Sequence, residues 1–192
     1  ISIQADVSNK DDVNKMFNLV KQKFDHLDIL VNNAGTTREE NIFDTNLESW
    51  DEILKINLTG NFLCAKKAMT IMKEQKSGRI IQISSIVGHR GALYGHVHYA
   101  ATKSGQLGFT KTLARTGAPF GITVNAIAPG LISTELLYKT HGEETINDLS
   151  NKIPLGIGKT NDVGYVTVFL ASEEARYITG ATIDINGGMY LR

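Results

Sequence analysis

Two short apolar runs decide the fold, Arg79-Ile-Ile-Gln-Ile-Ser84 and Ile122-Thr-Val-Asn-Ala-Ile127. Each is rich in β-branched residues and ends at small or polar residues, which is typical of a buried strand. Between them, the stretch from Val97 to about Thr116 has the length of a helix, and two glycines and a proline in 117–121 end it. The order strand, helix, strand predicts a βαβ unit with parallel strands.

The same alternation continues in both directions along the chain. Further strands are predicted at Ile1–Ala5, Asp28–Asn32 and Ala181–Ile185. Further helices are predicted after Ser8, which can cap the first of them, from Asn46 to Lys73 behind the capping box Thr45-x-x-Glu48, over Thr134–Ser150, and from Thr160 to Ala171. Repeated βαβ units imply an α/β protein whose parallel sheet is covered by helices on both faces. We expect a single domain over residues 1–192.

The composition excludes several classes of protein. The 192 residues are 42% hydrophobic, and 20 Lys and Arg balance 20 Asp and Glu, so the basic excess of a dedicated nucleic-acid binder is missing. The longest apolar runs fall far short of the ~20 residues that a membrane span needs. A single cysteine, Cys64, excludes an internal disulfide and suits a reducing compartment. We therefore expect a cytoplasmic protein that binds neither nucleic acid nor membrane.

A tyrosine and a lysine one helical turn apart are the most informative chemical feature. In Tyr99-Ala-Ala-Thr-Lys103 the two side chains share a helix face, and a nearby ammonium lowers the pKa of a phenol. Such a tyrosine can act as a general acid in one direction of a reaction and as a general base in the other. Ser85, at a strand end, can hydrogen-bond a carbonyl or alkoxide oxygen.

Each of these features also has an ordinary interpretation. Tyr99 and Lys103 could be an exposed pair, and Ser85 could satisfy backbone groups at the strand end. The turn Asn32–Gly35 could bring a ligand close to the backbone or be a plain turn. Asn57, an amide among apolar helical neighbours, could be a structural bridge to the sheet.

Three histidines raise the question of a metal. His89, His96 and His98 are close in sequence, and the pattern His-x-His can bind metal. No Cys, Asp or Glu lies between them to complete a site, so we expect no metal and interpret them as loop or surface residues.

Together, the ordered motifs resemble the short-chain dehydrogenase/reductase superfamily. They are Asp6-Val7, Asn32–Gly35, Asn57, Ser85, Tyr99-x-x-x-Lys103, Pro129-Gly130, and the ending Ile178-Thr179-Gly180, Asp184 and Gly187-Gly188. Within the superfamily the chain is most similar to the branch of 3-oxoacyl-carrier-protein reductases and sugar or polyol dehydrogenases. The resemblance implies a Rossmann-like, doubly wound parallel sheet and an NAD(P)-dependent interconversion of a secondary alcohol and a ketone.

The resemblance also implies a role for each matching residue. Tyr99 would exchange the proton, Lys103 would hold the nicotinamide ribose and lower the pKa of Tyr99, and Ser85 would orient the carbonyl. Asn57 would hold a water that links Lys103 to solvent. The cofactor, NAD or NADP, would be bound by Tyr99 and Lys103 and by Asp6, Val7, Asn33, Ala34, Gly35, Pro129, Gly130, Ile132 and Thr134.

The family's opening strand, glycine-rich turn, helix and second strand have no counterpart in the sequence. Because that turn places backbone N–H groups against the cofactor's pyrophosphate, we expect the native protein to be longer, with this first part of the Rossmann fold missing from the given sequence. The segment also holds the residue that chooses between NAD and NADP. The family further implies a homodimer or homotetramer.

The substrate class stays open between three alternatives. They are a 3-oxoacyl thioester, which a carrier protein could deliver, a sugar or polyol, and no reaction at all in a cofactor-binding sensor of the same fold. Polar residues in Leu131–Lys152, among them Tyr138, Lys139, Glu143 and Glu144, favour a hydroxylated or charged substrate slightly.

Overall fold

The sheet consists of four parallel strands. The computed structural model describes residues 1–140 and 142–192. Its strands are β1 (Ile29–Asn32), β2 (Gly78–Ile83), β3 (Ile122–Pro129) and β4 (Thr182–Ile185), hydrogen-bonded in the order β1-β2-β3-β4. In the register of the sheet, Ile80 lies between Leu30 and Val124. The parallel α/β sheet predicted from the sequence is therefore confirmed.

Helices connect the strands and occupy most of the remaining chain. They are α1 (Lys10–Phe24), α2 (Leu47–Leu54), α3 (Gly60–Gln75), α4 (Val87–Arg90), α5 (Val97–Gly117), α6 (Glu135–Thr140), α7 (Glu143–Asn151) and α8 (Thr160–Ala171). A π-helical turn, Lys55–Thr59, joins α2 to α3 without a break, so the long helix predicted from Asn46 to Lys73 is present. His141, in the helix predicted over Thr134–Ser150, lies outside the described residues.

Alternate residues of the strands pack on opposite faces of the sheet, as the two-residue period of a strand requires. Ile80 and Val124 meet a core formed with α1, α3 and α5, where Phe17 and Met72 are buried. Their neighbours Ile81 and Ile127 pack on the other face with Leu170 of α8. Helices thus cover both faces, as expected.

Two helices begin at a different cap from the predicted one. Asn9, not Ser8, caps α1: its side-chain oxygen accepts the N–H groups of Asp11 and Asp12. Asn46 caps α2 through the N–H of Ser49, and Thr45 instead donates its hydroxyl to the carbonyl of Asn41. In both cases an asparagine, a preferred capping residue, lies one position nearer the helix.

The predicted strand Ile1–Ala5 is wrong for this structure, which has no regular element there. A strand is held by hydrogen bonds to a neighbouring strand, and none of the described strands lies beside Ile1–Ala5. As a result, β1 is an edge of the sheet within the described residues. Its apolar side chains Ile29 and Val31 are 44% and 40% exposed.

None of the described helices is both long enough and apolar enough to cross a lipid bilayer.

Candidate active site

A cavity of about 620 Å³ opens at the C-terminal ends of β1, β2 and β3. In a parallel α/β sheet this edge is where ligands bind, because the loops that follow the strands converge there. Most of the residues that the sequence singled out line this one cavity: Asn33, Gly35, Ser85, Tyr99, Lys103, Pro129, Gly130, Ile132 and Thr134. The structure therefore brings these nine predicted residues together, whereas Asn57, Asp6, Val7 and Ala34 are not in the lining.

Tyr99 stands in the first turn of α5, and its phenol is largely buried. Burial disfavours the phenolate and raises the pKa of Tyr99 above its ordinary value, while a hydrogen bond with the Ser85 side chain acts in the opposite direction. The Ser85 oxygen is itself fixed, because it accepts the N–H of Val87 at 3.1 Å. Tyr99 and Ser85 can therefore meet the same substrate oxygen.

Lys103 lies one turn further along α5 and is only 4% exposed. Its Nζ donates to the carbonyl of Ile83 at 2.7 Å and to Oε1 of Gln106 at 3.3 Å, and stands 5.4 Å from the centre of the Tyr99 ring. Burial lowers the pKa of Lys103 to about 8.

The expectation that Lys103 lowers the pKa of Tyr99 is wrong for this structure. Burial is the larger influence on the phenol, and the pKa of Tyr99 is raised. The ammonium donates to the Ile83 carbonyl of β2, which is the nearer of its two hydrogen-bond acceptors. Tyr99 thus stays protonated at neutral pH, the form that a general acid requires.

The short helix α4 positions Ser85 against α5. Ser84 donates its hydroxyl to the Lys103 carbonyl and Ser104 donates to the Gly88 carbonyl, each at 2.9 Å. A side chain at Gly88 would lie 2.8 Å from the Lys103 carbonyl oxygen, so only glycine lets the two helices come this close.

Asn57 lies in the π-helical turn, completely buried, and it does not line the cavity. Its side chain accepts the N–H of Thr36 and donates to the Thr36 carbonyl, both at 2.8 Å, and donates to the Thr102 hydroxyl at 3.2 Å. It therefore bridges α5 to the loop after β1.

The main-chain carbonyl of Asn57 also has hydrogen-bond partners inside the protein. The Asn57 carbonyl already accepts two side-chain amides, from Asn61 and Gln106, each at 2.8 Å. These two amides connect the π-helical turn to α3 and to α5.

Asp6, Val7 and Ala34 are not among the residues that line the cavity. Val7 packs against the start of α3, where a side chain at Gly60 would lie 2.9 Å from it. The exposed Asp6 carboxylate accepts the N–H of Ser8 at 2.8 Å, and hydrogen bonding by Ser8 lowers the pKa of Asp6. Ala34 stands between two lining residues.

The chemistry of these groups fits a nicotinamide dinucleotide. An ionised Asp6 can accept hydrogen bonds from an amine such as that of adenine. Gly35 has no side chain, so its backbone is open to the cavity. A Cβ there would lie 3.2 Å from the Asn57 side chain. Further along, the hydroxyls of Ser85 and Tyr99 and the Lys103 ammonium form a polar group that can meet a ribose and a reacting carbonyl.

The rest of the cavity wall is largely apolar. Leu131, Leu136, Leu137 and Leu149 face it from the segment between β3 and α8. The polar residues of that segment that favoured a hydroxylated substrate, Tyr138, Lys139, Glu143 and Glu144, are not among the lining residues. Their polarity belongs to the other face of α6 and α7, so it carries no information about the substrate.

The three histidines turn to different partners. His89 approaches Asp184 at 3.2 Å, His96 shares a hydrogen bond of 2.9 Å with Thr37, and His98 stands 3.4 Å from the Glu40 carboxylate. They do not converge on one point.

Three residues that support the site were not predicted from the sequence. Thr36 and Thr102 hold the Asn57 side chain, and Gln106 connects Asn57 to Lys103. Gln106 had a usable signal, because residues three apart share a helix face and a buried amide needs partners. Thr36 and Thr102 had none, since their contacts join distant parts of the chain.

The chain is similar to known proteins over almost its whole length. Residues 1–190 match a family model described as enoyl-(acyl carrier protein) reductase. The 3-oxoacyl-[acyl-carrier-protein] reductase FabG of Aquifex aeolicus is 43% identical over 189 residues, which cover 98% of this chain and 75% of that protein. FabG of Staphylococcus aureus strain Mu50 is 44% identical over 191 residues, covering 99% and 77%. The 3-oxoacyl-[acyl-carrier-protein] reductase of Synechocystis is 42% identical over 193 residues, covering 100% and 76%.

Proposed function

The chain belongs to the short-chain dehydrogenase/reductase superfamily and is an NAD(P)-dependent oxidoreductase, and from that premise we propose that it reduces 3-oxoacyl thioesters carried by an acyl carrier protein. The observation that carries this proposal is the cavity itself, in which a buried phenol and a serine hydroxyl stand at one end of a largely apolar wall. An apolar wall suits an acyl chain better than a sugar, because a polyol would leave its hydroxyls without hydrogen bonds.

Each catalytic residue has one task in this proposal. Ser85 donates a hydrogen bond to the substrate carbonyl oxygen and so holds it beside the phenol. Tyr99 donates its proton to that oxygen as negative charge develops on it. Lys103 keeps positive charge next to the phenol, and Asn57 holds the helices that carry them.

The cofactor-binding residues are divided between the two ends of the cofactor. The nicotinamide supplies the hydride when it is bound. Asp6, Val7, Asn33, Ala34 and Gly35 would hold the adenosine side. Tyr99 and Lys103 would hold the nicotinamide ribose, with Pro129, Gly130, Ile132 and Thr134 around the nicotinamide.

The protein is a single domain in this proposal, and the edge of β1 is a surface that a neighbouring strand would cover. The exposed apolar side chains of Ile29 and Val31 support this, because a parallel strand is normally buried between neighbours.

The protein would work in the cytoplasm as a homodimer or homotetramer. Its free cysteine, Cys64, is buried, and the apolar side chains of Tyr165 and Val168 on α8 are each 70% exposed. Exposed apolar side chains that cluster on one helix are suited to contact between subunits. Light scattering that finds a monomer at micromolar concentration would contradict the assembly.

A substrate panel tests the reaction. We expect oxidation of NADPH or NADH, followed by its absorbance, with short 3-oxoacyl thioesters, and much weaker turnover with ketoses or polyols. Preference for a polyol would favour the sugar dehydrogenase alternative. Cofactor binding without turnover of any substrate would favour the non-catalytic sensor. Assays with each cofactor also decide between NADP and NAD.

A further inference from the structure

The Gln106 side chain joins two functional residues inside the protein. It is completely buried, with an exposed fraction of 0%. Its Nε2 donates to the Asn57 carbonyl at 2.8 Å, and its Oε1 accepts from the Lys103 ammonium at 3.3 Å. The amide therefore has both a donor and an acceptor partner, and its orientation is fixed at each end.

Lys103 depends on such acceptors because its ammonium is away from bulk water. An ammonium has three N–H donors, and two are used by the Ile83 carbonyl and by Gln106. A lysine side chain has four rotatable bonds, so two fixed acceptors on different elements, β2 and α5, define where the charge stands. The third N–H remains for a ligand, since it has no acceptor among the described residues.

The Asn57 carbonyl, to which Gln106 donates, is also held in place. The Asn57 carbonyl belongs to the π-helical turn Lys55–Thr59, and such turns are frequent at functional sites. Asn57 is held by Thr36 and Thr102 through its side chain. A chain of contacts thus runs from the loop after β1, through the π-helical turn and Gln106, to the ammonium.

We propose that Gln106 is a positioning residue, which ties the Lys103 ammonium to the Asn57 carbonyl and fixes its place beside Tyr99. The proposal deepens the proposed function and rests on it.

The groups that hydrogen-bond the Lys103 ammonium do not titrate, so the pKa of Lys103 reports on its contact with Gln106. Tyr99 is the titratable group in contact with the ammonium, which stands 5.4 Å from its ring centre. Glu39, Arg90 and His96 line the same cavity, and the substitutions at residue 106 leave all three unchanged. The groups that face it from β2 and from the π-helical turn are the Ile83 carbonyl and, through Gln106, the Asn57 carbonyl, neither of which titrates. Changes at residue 106 therefore act on Lys103 first.

Two substitutions of similar size should shift the pKa of Lys103 in opposite directions. Gln106→Met removes the acceptor, which favours neutral Lys103, and we expect the high-pH limb of the kcat profile for thioester reduction to move down by about half a pH unit or more. Gln106→Glu places a carboxylate there, and the same limb should move up by a similar amount. If the substitutions only loosened the packing, the high-pH limb would move in the same direction in both variants, or in neither.

Gln82→Met is the matched control, because Gln82 is another completely buried glutamine, and its side-chain amide has no partner among the described residues. It should leave the pH profile unchanged. Unmoved limbs in both Gln106 variants, or a shift in the control as large as theirs, would overturn the proposal.

A second measurement does not need turnover. The pH titration of the Lys103 Cε signal by NMR, assigned with Lys103→Met, should show the same opposite shifts in the two Gln106 variants. Shifted titrations in a protein without reductase activity would uphold Gln106 and refute the proposed function. A normal reductase with unshifted titrations would do the reverse.

Discussion

Lys103 carries a charge where charge is unfavourable. Burial lowers its pKa from 10.5 to about 8, so at neutral pH the folded protein holds an ammonium that would be better solvated in the unfolded chain. Its hydrogen bonds to Ile83 and Gln106 offset part of that cost. A residue retained at such a cost is typical of a functional site.

Lys103→Met should therefore stabilise the fold while it abolishes activity. Methionine has a similar length and no charge, so at about pH 7 we expect the free energy of unfolding to rise by up to about 3 kcal/mol. The gain will be smaller where the Ile83 carbonyl loses its donor. Urea unfolding of the variant and the parent measures it.

The pH dependence of that gain follows from the lowered pKa. Below about pH 8 both folded and unfolded Lys103 are protonated, and the full cost is present. As pH rises from about 8 toward 10.5, the folded protein loses the proton first, so the parent gains stability and the difference shrinks. A variant less stable than the parent at neutral pH would contradict this account of Lys103.

At the scale of elements, the site depends on how closely α4 approaches α5. Gly88 of α4 lies against the backbone of Lys103, and a Cβ there would be 2.8 Å from the carbonyl oxygen and 2.9 Å from its carbon. Both contacts are with backbone, which cannot rotate away. The separation of the helices, and with it the place of Ser85 relative to Tyr99, is set by this glycine.

Gly88→Ala should push the two helices apart. We expect a loss of stability of about 1 to 3 kcal/mol, because the added methyl group overpacks a backbone contact. We also expect a fall in kcat that exceeds any change in cofactor affinity. Thermal unfolding and steady-state kinetics check the two expectations.

Gly108→Ala on α5 is the control, since a Cβ at Gly108 meets no atom within 4 Å. Alanine is a better helix former than glycine, so this variant should be more stable by about 1 kcal/mol and fully active. Equal behaviour of the two variants would show that the contact at Gly88 does not set the geometry.

At the scale of the whole molecule, the sequence predicted what local patterns encode. The runs around Ile80 and Val124 have the composition of buried strands, and they became neighbours in the sheet. Once the strands are known to be parallel, their C-terminal ends must share an edge, so Ser85 and Gly130 could be placed in one site.

The predictions that failed depend on contacts between segments that are distant in the sequence. Ile1–Ala5 has the composition of a strand, but strand formation depends on a neighbour. The helical spacing of Tyr99 and Lys103 is correct, whereas the direction of the Tyr99 pKa shift is set by the burial of the phenol, which outweighs its hydrogen bond with Ser85. Similarly, the polarity of Glu143 and Glu144 faces away from the cavity, which no local pattern reveals.

The most direct test of the account is the turnover of Tyr99→Phe, with binding of the nicotinamide cofactor measured on the same sample. The change removes one oxygen, so thioester reduction should be lost while cofactor affinity and thermal stability stay close to those of the parent. Tyr177→Phe, at a tyrosine that is 92% exposed, should remain fully active. Turnover retained by Tyr99→Phe would contradict the central claim that this phenol supplies the proton.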